Sequence, residues 1–543
     1  MKHLPLLSFI FFLLASCDTS PKGEPNLIDL QGEWQFALDI ANVGVKQKWY
    51  LRDLEESVQL PGTTDSNKKG FLNTDTTTSH LHRVHTYEGG AWYQKKIIVP
   101  QDFARQHLSL YFERTKSTTV WIDSTLVGSS KLLQSPQQFD VTEALNPGEH
   151  TITVQVNNDL ELTPYRETHI FSNETQTNWN GIIGEMYIEA RPKTHITNLQ
   201  VYPDVEQRKI KIKLEIENEL NLDEARIKLL VERTVNGKTE LLPLKMIDTS
   251  LSSVLELEYA LGDETLLWDE YEQPLYQLTA VITNGEIEDW KSVPFGMRNF
   301  EARGTQFAIN GRTTFLRGKH DAAVFPITGH TPMDVESWER VFKIAKSYGI
   351  NHYRFHSYTP PKAAFTAADR VGIYLQPELP FWGGLDVDSV ATMLREEGFA
   401  LLKTFGNHPS FVMFSHGNEI WSGHDRVEEN IAALKEYDPR PLYTMGSNNN
   451  IGYAPPREVS DFFVASRTPS NGDTTSTHTR LTHAFVDSRE GGILNTMTPS
   501  TDIDYDYPVS QINIPIVTHE IGQYQIYPDY DEIDKYAASI SAL

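Results

Sequence analysis

Residues 209–216 read Lys-Ile-Lys-Ile-Lys-Leu-Glu-Ile, an alternation with period two. That is the pattern of a strand with one face in a core and the other in water. Thr151-Ile152-Thr153-Val154-Gln155-Val156 alternates in the same way. Aromatic and β-branched runs at Trp34-Gln35-Phe36-Ala37-Leu38, at residues 92–99 and at Thr119-Val120-Trp121-Ile122 predict further strands. Pro61-Gly62 and Asn146-Pro147-Gly148 punctuate them as turns. Many short strands without a helical period predict that residues 27–192 form a β-sandwich or jelly roll. Residues 193–298 hold the alternating strand 209–216 and further strands at 225–231 and 276–282. A β domain of this size suits an immunoglobulin-like sandwich.

From residue 299 the pattern changes to strands alternating with helices. Strands are predicted at 315–317, 350–355, 373–376, near Phe411, at 442–445, at 462–465 and at 514–517. Thr331-Pro332 predicts an N-cap followed by proline at the first helical position, with Trp338, Val341, Phe342 and Ala345 on one face and a stop at Gly349. A second helix runs through Met393, Leu394, Leu401 and Leu402, and a last one spans 531–540. Parallel strands joined by helices predict a TIM barrel over residues 299–543. Seven βα units are visible in a fold that needs eight. The expectation is a barrel lacking its last unit, with strands one and seven facing each other across an open seam.

The N-terminus adds a compartment. A basic start, an apolar run over residues 6–14, and Leu14-Ala15-Ser16-Cys17 resemble a bacterial lipoprotein signal peptide of residues 1–17. Cys17 is the candidate lipidation site and the single cysteine of the chain, so no intrachain disulfide is available. Residues 18–26 read as a tether. No later segment is long and apolar enough to span a bilayer. The expected location is the periplasm or outer membrane, with membrane contact only through a lipid anchor at Cys17. The net charge of −25 argues against nucleic acid and anionic membrane surfaces as partners.

The candidate chemistry lies at strand ends. Glu419 closes Ser415-His416-Gly417-Asn418-Glu419 after an apolar run, and Glu520 follows Pro515-Ile516-Val517-Thr518-His519. Two carboxyls at the C-terminal ends of parallel barrel strands match what retaining glycoside hydrolysis needs. One must be ionised to attack the anomeric carbon, and the other must be protonated to assist the leaving oxygen.

The chain resembles glycoside hydrolase family 2, the β-galactosidase, β-glucuronidase and β-mannosidase family. The resemblance runs from about Gly32 to Gln523. It rests on Gly32-Glu33-Trp34, Phe139-Asp140-Val141-Thr142, Gly181-Ile182-Ile183-Gly184, Phe295-Gly296-Met297-Arg298 and Leu316-Arg317-Gly318. Its most specific part is Gly406-Asn407-His408-Pro409-Ser410 followed by Gly417-Asn418-Glu419. The family implies a sugar-binding jelly roll, an immunoglobulin-like sandwich and a (β/α)8 barrel. By position it implies Glu419 as acid/base, Glu520 as nucleophile, and Asn418 as the donor to a sugar 2-hydroxyl.

Arg354 and His356 leave the second strand toward the same rim and are candidate pocket residues, Arg354 beside the nucleophile. His320 and His416 at strand ends, Trp382 as a stacking platform and Asp65 from the first domain complete the substrate-binding candidates. The chain departs from the family in carrying Glu520-Ile521-Gly522 where Glu-Tyr is usual, and the upstream tyrosine expected to support the nucleophile is not placed between Tyr505 and Tyr507. No carboxylate and histidine cluster at metal spacing is visible, so neither metal nor cofactor is assigned. The expected activity is a retaining exo-β-glycosidase acting on oligosaccharide or polysaccharide, with β-galactosidase first and β-glucuronidase second. The alternative is a carbohydrate-binding or catalytically impaired member with an incomplete barrel. Oligomeric state is not legible.

Overall fold

Two antiparallel sheets bury the aromatic and β-branched positions of the first domain between them. The computed structural model describes residues 26–75, 81–162, 168–169, 177–285, 287–449, 453–470, 478–481, 505–521 and 529–536. The larger sheet of this domain runs Thr125–Ser130, Ser117–Ile122, Gly148–Asn157, Gly90–Val99, Gly32–Leu38, Glu56–Leu60. The other runs Asn26–Asp29, Gly181–Arg191, His107–Thr115, Gln137–Asp140. Trp34, Phe36, Tyr93, Phe112, Val154 and Ile188 fill the space between them.

The second domain is a smaller sandwich. Lys209–Asn218 lies between Thr194–Asp204 and Val254–Ala260, and Glu224–Val235 and Leu275–Thr283 pair in the facing sheet. The alternation over 209–216 is realised, with Ile210, Ile212, Leu214 and Ile216 in the core.

The third domain opens with a three-stranded antiparallel sheet, Phe300–Arg303, Gln306–Ile309 and Arg312–Thr314. The first parallel strand is Gly318–Asp321, so the prediction at 315–317 lies three residues early, and Phe315 is exposed. The parallel order continues through His352–Phe355, Tyr374–Gln376, Met413–Ser415, Leu442–Thr444, Phe463–Ala465 and Ile516–Thr518. Phe411 itself makes only an isolated bridge to Leu375. Helices Val335–Ser347, Lys362–Val371, Asp388–Phe405 and His424–Tyr437 lie between these strands in the chain, the second and fourth without a distinct sequence cue.

The first of these helices is capped by Asp334, whose side chain accepts from the Ser337 N–H, rather than by Thr331. The Pro332 carbonyl instead accepts from Trp338 Nε1 at 2.9 Å. Of the last predicted helix only Ile533–Tyr536 lies within the described residues. Most of the segment after residue 468 lies outside them; the ladder between Arg467–Pro469 and His478–Arg480 is antiparallel and is not a barrel strand. Among the described residues no ladder joins the seventh strand to the first. The two flank a cleft of about 440 Å³ that opens beside Arg354 and Glu520. No helix among the described residues is long and apolar enough to cross a membrane, and residues 1–25 lie outside the description.

Both β domains are fastened to the barrel by polar contacts. Glu397, buried on the helix Asp388–Phe405, accepts from the backbone N–H groups of Leu133, Gln134 and Ser135 and from the Ser135 hydroxyl, at 2.6–3.1 Å. Arg114 donates to the Gln134 and Thr359 carbonyls at 2.9 Å. Arg298 donates to the carbonyls of Pro409, Arg440 and Phe411. Replacing Glu397 by Ala strands four donors of the first domain away from water, so Glu397→Ala should cost about 3 kcal/mol. Urea denaturation followed by tryptophan fluorescence should show an earlier transition, and an unchanged curve would mean that the 133–135 loop is held by other contacts.

Candidate active site

Glu419 and Glu520 both stand where the backbone turns into the left-handed region, with φ of 42° and 46°. Ser357 and Asn448 beside them share this feature, at 48° and 55°. Each such residue with a Cβ costs about 1–2 kcal/mol, so the surroundings must hold it. Glu419 is held by its N–H on the Ser447 carbonyl at 2.8 Å, and Asn448 Nδ2 donates to its carboxyl at 3.2 Å. Its strand, Asn418–Ser422, pairs in parallel with Trp382–Gly384, which sets Trp382 opposite Asn418.

Arg354 joins the two strand ends. Buried at the end of the second strand, it donates through Nε and Nη2 to both oxygens of Glu378, at 2.8 and 3.3 Å. Nη2 also donates to Asn418 Oδ1 at 2.6 Å, and Nη1 reaches Glu520 Oε1 at 3.4 Å. Glu378, fully buried, takes two further bonds from the Ser357 N–H at 2.8 Å and the Ser447 hydroxyl at 2.5 Å. The guanidinium cannot turn away without leaving a buried carboxylate unpaired.

His519 Nε2 lies 3.1 Å from Asn418 Oδ1 and 3.2 Å from Glu520 Oε1. Both are acceptors, so Nε2 carries the proton. Burial alone would push the Glu520 carboxyl up. The hydrogen bond from His519 and the charges of His519 and Arg354 overcome that and hold it well below the usual carboxylate range. An ionised carboxylate is the state a nucleophile requires. Asn418 Nδ2 is buried and has no hydrogen-bond partner among the described residues, so it is a donor in reserve at the site.

Imidazoles make up one wall. His356 Nε2 is 3.4 Å and His320 Nε2 3.9 Å from Glu520 Oε1. The His169 ring lies 4.1 Å from that of His356, and the backbone N–H of His169 donates to the Ser357 hydroxyl at 3.2 Å. Trp382, half-buried, stands edge-on to His356 at 4.9 Å.

Two candidates fall outside this constellation. His416 is fully buried against Phe381, with Nε2 at 3.1 Å from Asn430 Nδ2 on the helix His424–Tyr437. Burial lowers it to about 3, and it is a packing histidine rather than a pocket residue. Asp65 is taken up by Arg83 at 2.6 Å and by the Thr63 hydroxyl, and it lines a separate hollow of the first domain with Thr177 and Trp179. Arg83 carries that pair to the barrel by donating to the Pro326 and Ile327 carbonyls.

The structure also adds residues that were not foreseen. His519 had a cue in standing next to Glu520. Ser447 and Asn448 follow the fifth strand, a position where polar residues often serve a barrel's rim. His169 had none, because it belongs to the first domain.

Comparison with known proteins places this geometry. The description "Glycosyl hydrolases family 2, sugar binding domain" matches residues 27–192. "Glycosyl hydrolases family 2" matches 194–298, and the family's TIM barrel domain matches 300–454. The chain is 26% identical over 433 residues to a β-glucuronidase of Paenibacillus borealis, covering 74% of this chain and 68% of that one. It is 24% identical over 376 residues to a putative β-glucuronidase of Formosa agariphila, covering 67% of this chain and 43% of the relative. A β-galactosidase large subunit of Latilactobacillus sakei is 25% identical over 361 residues, covering 62% of this chain and 55% of its own. The chain thus spans between 43% and 68% of the length of these relatives. Among solved structures, a β-glucuronidase of Ruminococcus gnavus in complex with D-glucaro 1,5-lactone superposes with a TM-score of 0.69 at 19% identity, covering 92% of this chain and 84% of that one. At that identity the likeness speaks for the fold alone.

His519 and, after it, Arg354 set the charge state of Glu520, and the share of Arg354 can be tested directly. With its carboxyl depressed in the folded chain, Glu520 stays ionised through the weakly acidic range. The stability this contributes is present above the unfolded value of about 4.3 and is lost as pH falls through the folded one. In Arg354→Gln the same carboxyl should titrate at higher pH, read by carbon-13 NMR of protein labelled at glutamate carboxyls. An unmoved titration would assign the depression to His519 alone.

Proposed function

The chain belongs to glycosyl hydrolase family 2, and from that premise we propose that it is a retaining exo-β-glycosidase that removes non-reducing terminal β-linked sugars by double displacement. The observation that carries this reading is the tie through Arg354 and Asn418. It pins the end of the strand bearing Glu419 to the end of the strand bearing Glu520. Glu520, held ionised, attacks the anomeric carbon. Glu419 gives its proton to the departing oxygen and then, as a base, activates the water that releases the sugar. The free Nδ2 of Asn418 is the donor for the sugar 2-hydroxyl, a bond that tightens in the transition state. His356, His320 and Trp382 line the sugar's position.

We infer β-glucuronides as the substrate class ahead of β-galactosides, because three β-glucuronidases of distant organisms, those of Paenibacillus borealis, Formosa agariphila and Homo sapiens, stand among the similar proteins. This reverses the order drawn from sequence alone. The resemblance of residues 1–17 to a lipoprotein signal supports an anchor at Cys17 in the periplasm or outer membrane.

A 2-deoxy-2-fluoro-β-glucuronide should label Glu520, where the covalent intermediate forms. Label recovered on Glu419 or Glu378 would overturn the assignment. A nitrophenyl galactoside cleaved in preference to the glucuronide would overturn the substrate class. Retained sugar binding without any label or turnover would favour a carbohydrate-binding protein, a reading to which the cleft between the first and seventh strands lends its weight.

Glu419→Gln should slow the cleavage of poor leaving groups by roughly 10²–10⁴-fold, the usual contribution of a positioned general acid. Activated aryl glycosides, which need little protonation, should lose far less in the glycosylation step. Equal losses on both substrate types would remove Glu419 from the acid role.

A further inference from the structure

Three imidazoles from three distant parts of the chain converge next to Glu520. His169 comes from the first domain, His320 from the first barrel strand and His356 from the end of the second. Their ligand-capable atoms all lie within 4.8 Å of one another. Their positions, 169, 320 and 356, have no motif spacing, which is why the sequence shows no metal signature.

We propose that His169, His320 and His356 form a site for a divalent transition-metal ion of the zinc class. Four features support it. First, the donor set is right: three imidazole nitrogens and one carboxylate oxygen suit four-coordinate Zn²⁺. Zinc holds nitrogen at about 2.0–2.1 Å, which requires donors roughly 3.4 Å apart, so side-chain closure of about an ångström or so assembles the shell. Second, the fourth position is supplied. Glu520 Oε1 lies 3.4 Å from His356 Nε2 and 3.9 Å from His320 Nε2.

Third, one ligand has an outer partner that sets its ring. His356 Nδ1 is 2.9 Å from the Ser357 hydroxyl, which fixes the ring and leaves Nε2 for the cluster, and the same hydroxyl accepts from the backbone N–H of His169, which holds that stretch of the first domain beside the strand end. Fourth, the charge is permissive. Arg354 and His519 stand against the carboxylates of Glu378 and Glu520, so the surroundings carry no excess of positive charge to repel a dication. Burial keeps His169 and His356 neutral, the form in which imidazole ligates.

No bond to carbon forms or breaks at this site, and no electron moves. The ion takes the lone pair of Glu520 Oε1 and of three imidazole nitrogens. Resting on the proposed function, the consequence is that a filled site withdraws the nucleophile, so metal and sugar compete for one carboxylate.

The binding claim is tested without activity. Zinc chloride is titrated calorimetrically into the full chain and into His169→Gln and His320→Gln. Each variant should lose one bound equivalent, or hold it roughly tenfold or more weakly. That loss should persist whether or not His195 is also changed to Gln, because His195 belongs to a separate group with His107 and Glu217. Cobalt(II) offers a second measurement: the intense visible bands of a four-coordinate site should be present in the wild type and weakened in both variants. Circular dichroism of the variants separates ligand loss from misfolding. No saturable equivalent in the wild type, or an affinity and spectrum indifferent to both substitutions, would overturn the site. If zinc binds as described but does not slow hydrolysis, the metal site stands and its role as a brake on Glu520 falls.

Discussion

A single permanent cation, buried at the end of the second barrel strand, organises the rim. Arg354 cannot lose its proton and is almost wholly buried, so every group around it must answer its charge. Glu378 answers it with both oxygens, Asn418 with its carbonyl and Glu520 with the remaining carboxylate. These partners come from three different strand ends. The barrel's closure and the site's electrostatics are therefore one problem with one solution. The left-handed backbone at Glu419, Glu520, Ser357 and Asn448 persists because this network over-determines it.

The three-domain organisation was largely legible, since periodicity separates sandwiches from the barrel wherever one face is wet. Legibility failed where function altered composition. The apolar run Phe315-Leu316 drew the first strand three residues early, whereas the true strand, Gly318–Asp321, is polar. Its residues line a site instead of a core, and local pattern and global fold part company there. The helix cap failed in a related way, because Pro332 serves Trp338 with its carbonyl rather than starting the helix.

Within the site, the glutamates were readable because strand-end position and residue type agree. Arg354 and His356 were readable because the side-chain period of their strand points both to the same rim. His416 misled because the residue after a strand end can turn either inward or toward the helical layer, and Asn430 captured it. Asp65 misled because a carboxylate is claimed by the nearest arginine, and Arg83 stood closer than the barrel rim. His169 was invisible because no local rule relates a loop of one domain to a strand end of another.

That last residue has a consequence for the order of events in folding. The first domain has a core of its own, which it can complete before the barrel closes. Its His169 then waits at the surface for a wall that does not yet exist. The rim is finished only when Glu397 and Arg114 seat the finished sandwich against the barrel. Until that docking step the folding chain holds its two carboxylates in an unfinished setting, and its maturation is an assembly reaction within one chain.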